Sequence, residues 1–185
     1  MKLALVALVL SWGCRSQPAS DGRNPPLLER SYSDGASGLQ ELWSDILRAA
    51  QRDERERVHL LMASLIMTDE DLDALFGVEQ AKTLRPRYLP MIGTLVNIGA
   101  MELVAQIVDK KYDDIEVFRV DDQGSTADRA TLAALPRGTA VYGLRVKKKS
   151  ERLGLRYDFF VYRKGRWVTG NLLAKYLLSR DGGSG

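Results

Sequence analysis

Cysteine is almost missing from this 185-residue chain, with Cys14 the only one. A single cysteine excludes an intramolecular disulfide and a cysteine-built metal site within one chain. Histidine is as scarce, since His59 stands alone. Paired-histidine metal spacing is therefore excluded, and no histidine is left on a strand to act as an acid or base. His59 follows the charged run 52–57, where a lone histidine reads as a surface residue. The sequence contains no nucleophile elbow, no phosphate-cradling glycine loop and no dinucleotide fingerprint, and no cofactor is expected.

What is present fits one globular domain with short tails: 45% hydrophobic and 28% charged residues. The formal net charge of +3 conceals an asymmetry. Residues 138–180 carry 11 Lys and Arg against Glu151 and Asp158, whereas residues 1–137 carry 16 basic against 21 acidic side chains. The C-terminal part is basic and the N-terminal part acidic.

Met1 and Lys2 precede an apolar run over residues 3–10, too short to span a bilayer but suited to the core of an export signal. The run leads through Ser11, Trp12 and Gly13 to Cys14. This ending resembles the lipobox of bacterial lipoproteins, in which a small residue precedes a cysteine that becomes the acylated mature N-terminus. Gly13 and Cys14 match that pattern, while Ser11 and the bulky Trp12 depart from it. The resemblance covers about the first fourteen residues and implies a signal peptide over 1–13, a lipid on Cys14, and anchoring on a membrane of the cell envelope. Residues 14–38 are rich in Ser, Pro, Gly, Asp and Asn and read as a flexible tether. A single domain is expected over 39–180.

From Leu39 the apolar period is helical. Leu39, Leu42, Trp43, Ile46, Leu47 and Ala50 recur at spacings of three and four, and Val58, Leu61, Met62, Leu65 and Ile66 continue the pattern. Thr68 and Asp71 form a capping box opening a short helix, stopped by Gly77. The acidic group Asp69, Glu70, Asp71 and Asp73 lacks the glycine and closing glutamate of a calcium loop and reads as capping plus a solvated face. Another short helix is expected over 78–84, interrupted by Pro86 and Pro90. A long apolar helix follows over 91–108.

Strand signals follow. Residues 113–120 form the first, with Ile115 and Val117 on one face and Glu116, Phe118 and Val120 on the other. Residues 130–135 suggest a helical turn. Ala140, Tyr142, Leu144 and Val146 share one face of the next strand, and Leu155, Tyr157, Phe159 and Val161 one face of the third. Arg163, Lys164, Gly165 and Arg166 reverse the chain into Trp167, with Gly165 at positive φ. The fold class is α+β, N-terminal helices packed on a curved antiparallel sheet of about four strands.

That order resembles the NTF2-like, or cystatin-like, superfamily, whose helices fill the concave face of a bent sheet. The hairpin from Phe160 to Trp167 is similar to the penultimate turn of SnoaL-type domains. The resemblance implies a cone that in enzymes of this fold holds an Asp and a His as acid and base. Here Asp158 is the candidate base if it faces the cone; the competing expectation is a cross-strand ion pair with Arg145 or Arg156 on the outer face. The basic run Lys147, Lys148 and Lys149, with Arg152 beyond it, is a candidate contact for an anionic partner, or else a solvated hairpin tip protecting the sheet. Export argues against nucleic acid. The leading reading is a membrane-tethered, non-enzymatic envelope module that binds a partner or ligand. The alternatives are a SnoaL-like hydrolase or isomerase using Asp158, and a structural protein gripping an anionic envelope polymer.

Overall fold

The computed structural model describes residues 31–121, 126–170 and 173. The chain runs through α1 (Ala36–Gln51), α2 (Arg55–Ala63), α3 (Asp69–Phe76), α4 (Val78–Thr94), a π turn (Leu95–Gly99) and α5 (Ala100–Lys110). It then enters β1 (Asp114–Arg119), α6 (Thr126–Ala133), β2 (Tyr142–Lys147), β3 (Gly154–Arg163) and β4 (Arg166–Thr169). The strands form one antiparallel sheet in the order β1-β2-β3-β4. The expected class, α+β with helices on a four-stranded antiparallel sheet, is the observed one.

Period-two alternation gives the sheet two different faces. Tyr142, Leu144, Val146, Phe160 and Trp167 join α1, α2 and α5 in one apolar cluster. Phe159, Val161 and Val168 join α3, α4 and Leu173 in a second. Helical material therefore packs on both faces.

The expected alternation along β3 fails at its middle. Tyr142 pairs with Phe160 and Leu144 with Tyr157, so Asp158 and Phe159 together oppose Gly143. This is a β-bulge, and Phe159 takes a left-handed φ of 67°. The extra residue turns Phe159 and Val161 to the second cluster and Phe160 and Tyr162 to the first. Two glycines make room for it. A Cβ on Gly143 would lie 2.6 Å from the Phe118 ring, and one on Gly170 would lie 1.6 Å from the Phe159 ring.

The prolines do not end α4, which runs unbroken through Pro86 and Pro90. Both prolines are exposed, so the lost backbone bonds face water, while Leu84, Tyr88 and Ile92 bury the opposite side. Thr94 Oγ1 donates to the Pro90 carbonyl at 3.1 Å. The π turn then absorbs a residue and keeps Val96, Ala100, Leu103 and Ile107 on the buried side. Together α4, the π turn and α5 form one helical run, Val78–Lys110, which length and composition alone would allow to cross a membrane. Its buried side packs into both clusters, which makes it a core element of the fold.

Residues before Leu39 take part in the fold. Gly35 at φ 89° precedes α1, Tyr32 is buried with its hydroxyl donating to Asp45 Oδ2 at 2.7 Å, and Trp167 Nε1 donates to the Ser33 carbonyl at 3.2 Å. The capping box is present as expected, with Thr68 Oγ1 accepting from Asp71 N and the Asp71 carboxylate accepting from Thr68 N. In the closing hairpin Lys164 and Gly165 are both left-handed, at φ 48° and 80°, which matches the twist of the strands they join.

Candidate functional site

The space between α1, α2, α5 and the sheet is filled by aromatic rings. Trp43 from α1 lies 4.8 Å from the Tyr157 ring and edge-on to Phe160 at 5.8 Å. Tyr142 and Tyr162 pack edge-on against Trp167 at 5.5 and 5.3 Å. These rings occupy the space between the helices and the sheet. A small cavity of about 120 Å³ remains beside them, lined by Met62, Gly99, Glu102, Leu103, Gln106 and Tyr157. That is room for about four waters, against the several hundred Å³ of an ordinary ligand pocket. Burial, reinforced by Tyr112 and then by the charge of Glu102, pushes the Tyr157 phenol up to about 12.

Asp158 lies on the other side of the strand. Its carboxylate accepts from Arg156 Nε at 2.8 and 3.0 Å, and Arg156 also approaches Asp128 at 3.5 Å. The hydrogen bond to Asp158 holds the Arg156 guanidinium above its ordinary range. Arg145 and Arg156 both sit over the Phe118 ring, at 5.0 and 5.1 Å. Asp158 pairs with Arg156, one of the two arginines expected, but two residues away along β3 and not across strands. The cation-on-ring arrangement was not legible, because Phe118 comes within reach only through the β1–β2 register and Gly143.

The basic run at the β2–β3 connection divides into three roles. Lys147 is mostly covered and bonds Glu116 at 2.9 Å; Arg145 reaches the same carboxylate at 3.3 Å. The Lys147 hydrogen bond, with the charges of Arg145 and Arg152, holds Glu116 below the usual carboxylate range. Lys148 pairs with Glu151 at 2.9 Å across a turn closed by Glu151 N donating to the Lys148 carbonyl. Lys149 and Arg152 are exposed and form no ion pair among the described residues. Beside them a cleft of about 650 Å³ is lined by Glu116, Arg145, Lys147, Arg152 and Leu153. Leu153, at 82% exposure, is the most exposed large apolar side chain described. Glu116 and Leu153 carry no signal in the sequence that marks them for this site.

The acidic group at α3 has structural partners. Arg85 bonds Asp69 at 2.7 Å and Asp73 at 2.9 Å, Lys164 pairs with Glu70, and Arg166 and Arg163 converge on buried Asp71. No group of three or more His, Cys, Asp or Glu among the described residues could hold a metal ion. His59 is a half-covered residue whose Nε2 bonds Asn97 of the π turn at 2.9 Å. Cys14 lies outside the described residues.

No family model, curated protein or solved structure matches this chain. Functional inference therefore rests on the residues themselves.

Proposed function

We propose that this chain is a membrane-tethered, non-enzymatic envelope module that acts through its outer surface. Residues 1–13 serve as the export signal, Cys14 carries the lipid, and the Ser- and Pro-rich segment after it links the anchor to the domain. Tyr32 is the first buried residue described, and seventeen residues separate it from Cys14. Fully extended, that stretch reaches about 60 Å, enough to let the domain settle on the membrane or turn away from it. The observation that carries the non-enzymatic part is the aromatic filling of the helix–sheet interior by Trp43, Tyr157, Phe160 and Trp167. In an NTF2-like enzyme this volume is where substrate would sit. Charged groups instead gather outside, at the β2–β3 connection, together with the exposed Leu153; the other exposed large apolar side chains described, Val78, Ile98, Met101 and Val108, lie along the helical run.

The test is the mass of the mature N-terminus of protein recovered from the membrane fraction. A diacyl or triacyl adduct beginning at Cys14 is the expected result. An unmodified N-terminus downstream of a cleavage site contradicts the tether and makes the domain a free exported one.

A further inference from the structure

The tip of the β2–β3 hairpin joins two features: cations that form no ion pair among the described residues, and a nearly naked leucine. Leu153 is 82% exposed and stands next to Arg152. Lys149 is on the same connection, and Asp113 draws the end of α5 to it, with Asp113 Oδ1 accepting from Lys149 N at 2.8 Å and Asp113 N donating to the Lys147 carbonyl at 3.1 Å. That linkage brings Lys111, two residues earlier, to the same end of the molecule. The acidic neighbours there are Glu116, held by Lys147 and Arg145, Asp114 by Lys147, Glu151 by Lys148, Asp109 by Lys110, and Asp113, whose carboxylate takes Lys149 N; these five stand against the seven cations Lys110, Lys111, Arg145, Lys147, Lys148, Lys149 and Arg152. Lys111, Lys149 and Arg152 form no ion pair among the described residues, so the tip presents a positive excess.

The loop is also held in shape. The Lys148–Glu151 turn closes it, Asp113 ties its middle, and Gly154 lets β3 enter close to β2, since a Cβ there would lie 2.3 Å from the Val146 carbonyl oxygen. Leu153 is therefore presented outward by a built loop. A soluble polyanion would be met by the cations alone and gives an exposed leucine no role. A surface that is anionic and apolar within a few ångströms of depth satisfies both, and a bilayer interface is such a surface.

We propose that this hairpin tip is a membrane-docking loop for anionic phospholipid, with Leu153 entering the interfacial layer while Arg152, Lys149 and Lys111 face headgroup phosphates. The proposal deepens the tethered-module reading, resting on it only for bringing a bilayer near. A lipid at Cys14 and a docking tip then act together, each weak alone.

The test uses the full chain with Cys14→Ser, which carries no acyl group, and Leu153→Cys labelled with an environment-sensitive dye. Vesicles of phosphatidylglycerol and phosphatidylcholine should shift the dye emission to the blue, and vesicles of phosphatidylcholine alone should not. Replacing Lys149 and Arg152 by serine should weaken the vesicle response about 25-fold, about fivefold for each charge removed. A dye at Asn97→Cys, on the far helical run, should stay unmoved. Equal shifts on neutral and anionic vesicles, no shift on either, or a response to a soluble polyanion or inorganic phosphate without one to vesicles would each overturn the proposal. The signal comes from the hairpin itself, so it reads independently of whether Cys14 is acylated, which the N-terminal mass decides.

Discussion

The two faces of the sheet are filled by different means. On the α1, α2 and α5 side the filling is aromatic volume: Trp43, Tyr157, Phe160 and Trp167 interlock, and the buried Trp43 Nε1 has no hydrogen-bond partner. On the α3 and α4 side a polar network runs through the apolar cluster. The Tyr88 hydroxyl accepts from Met67 N at 2.9 Å and donates to the Thr169 carbonyl at 2.8 Å, while Asp71 accepts from Thr68 N and Arg166 and stands 3.4 Å from the buried Arg163 Nε, which has no hydrogen-bond partner among the described residues. Burial raises the Tyr88 phenol far above its ordinary range, which keeps it neutral in that network. One face depends on shape and the other on hydrogen bonds and ion pairs. Failure should follow the same division.

The largest loss is expected on the first face. Trp43→Ala removes the ring that fills the cone and should cost about 3–5 kcal/mol, read as a lowered denaturant midpoint with unchanged slope. On the second face, Asp71→Ala, with Thr68 still capping α3, removes the carboxylate half of the capping box and leaves Arg163 and Arg166 facing a buried gap. It should cost about 2–3 kcal/mol, kept below the fully buried case because both arginines retain some access to water. If Asp71→Ala proved the costlier of the two, the division into shape and network would be wrong.

Alkaline pH sharpens the comparison further. Tyr157 ionises near 10 in an unfolded chain but is held neutral to about 12 in the fold. A group whose folded pKa is raised contributes fully below its unfolded pKa and loses that contribution as pH climbs through the folded one. Stability should thus fall by about 2 kcal/mol between pH about 10 and 12, and Tyr157→Phe should flatten that part of the curve. The smallest effect belongs to the half-exposed Arg156–Asp158 pair on β3. Asp158→Asn weakens a half-exposed pair with Arg156 and should change stability by about 0–1 kcal/mol, measured by the same melts.

The helices and the sheet were readable because their signals are local. Spacings of three and four through Trp43, the Thr68–Asp71 box and the Lys164-Gly165 turn each fix their own residues. What escaped depends on distant partners. The bulge at Asp158 and Phe159 arises from facing Gly143 and Gly170, and the survival of α4 through two prolines depends on Tyr88 being anchored to Met67 and Thr169. At the candidate site the cations were visible as a run, but their division was not. Glu116 sits 31 residues before Lys147, and only the β1–β2 pairing makes it their counter-charge.

The central claim is that the helix–sheet interior is a packed core and the working surface lies outside. An NMR titration of the isotope-labelled chain with benzene, following the Trp43 indole N–H, tests it most directly. That proton should stay unmoved in the native chain up to saturating benzene, with a binding site appearing only after Trp43→Ala. A saturable shift of the native Trp43 signal, with Tyr157 and Phe160 moving alongside it, would contradict the claim and return the cone to the list of ligand sites.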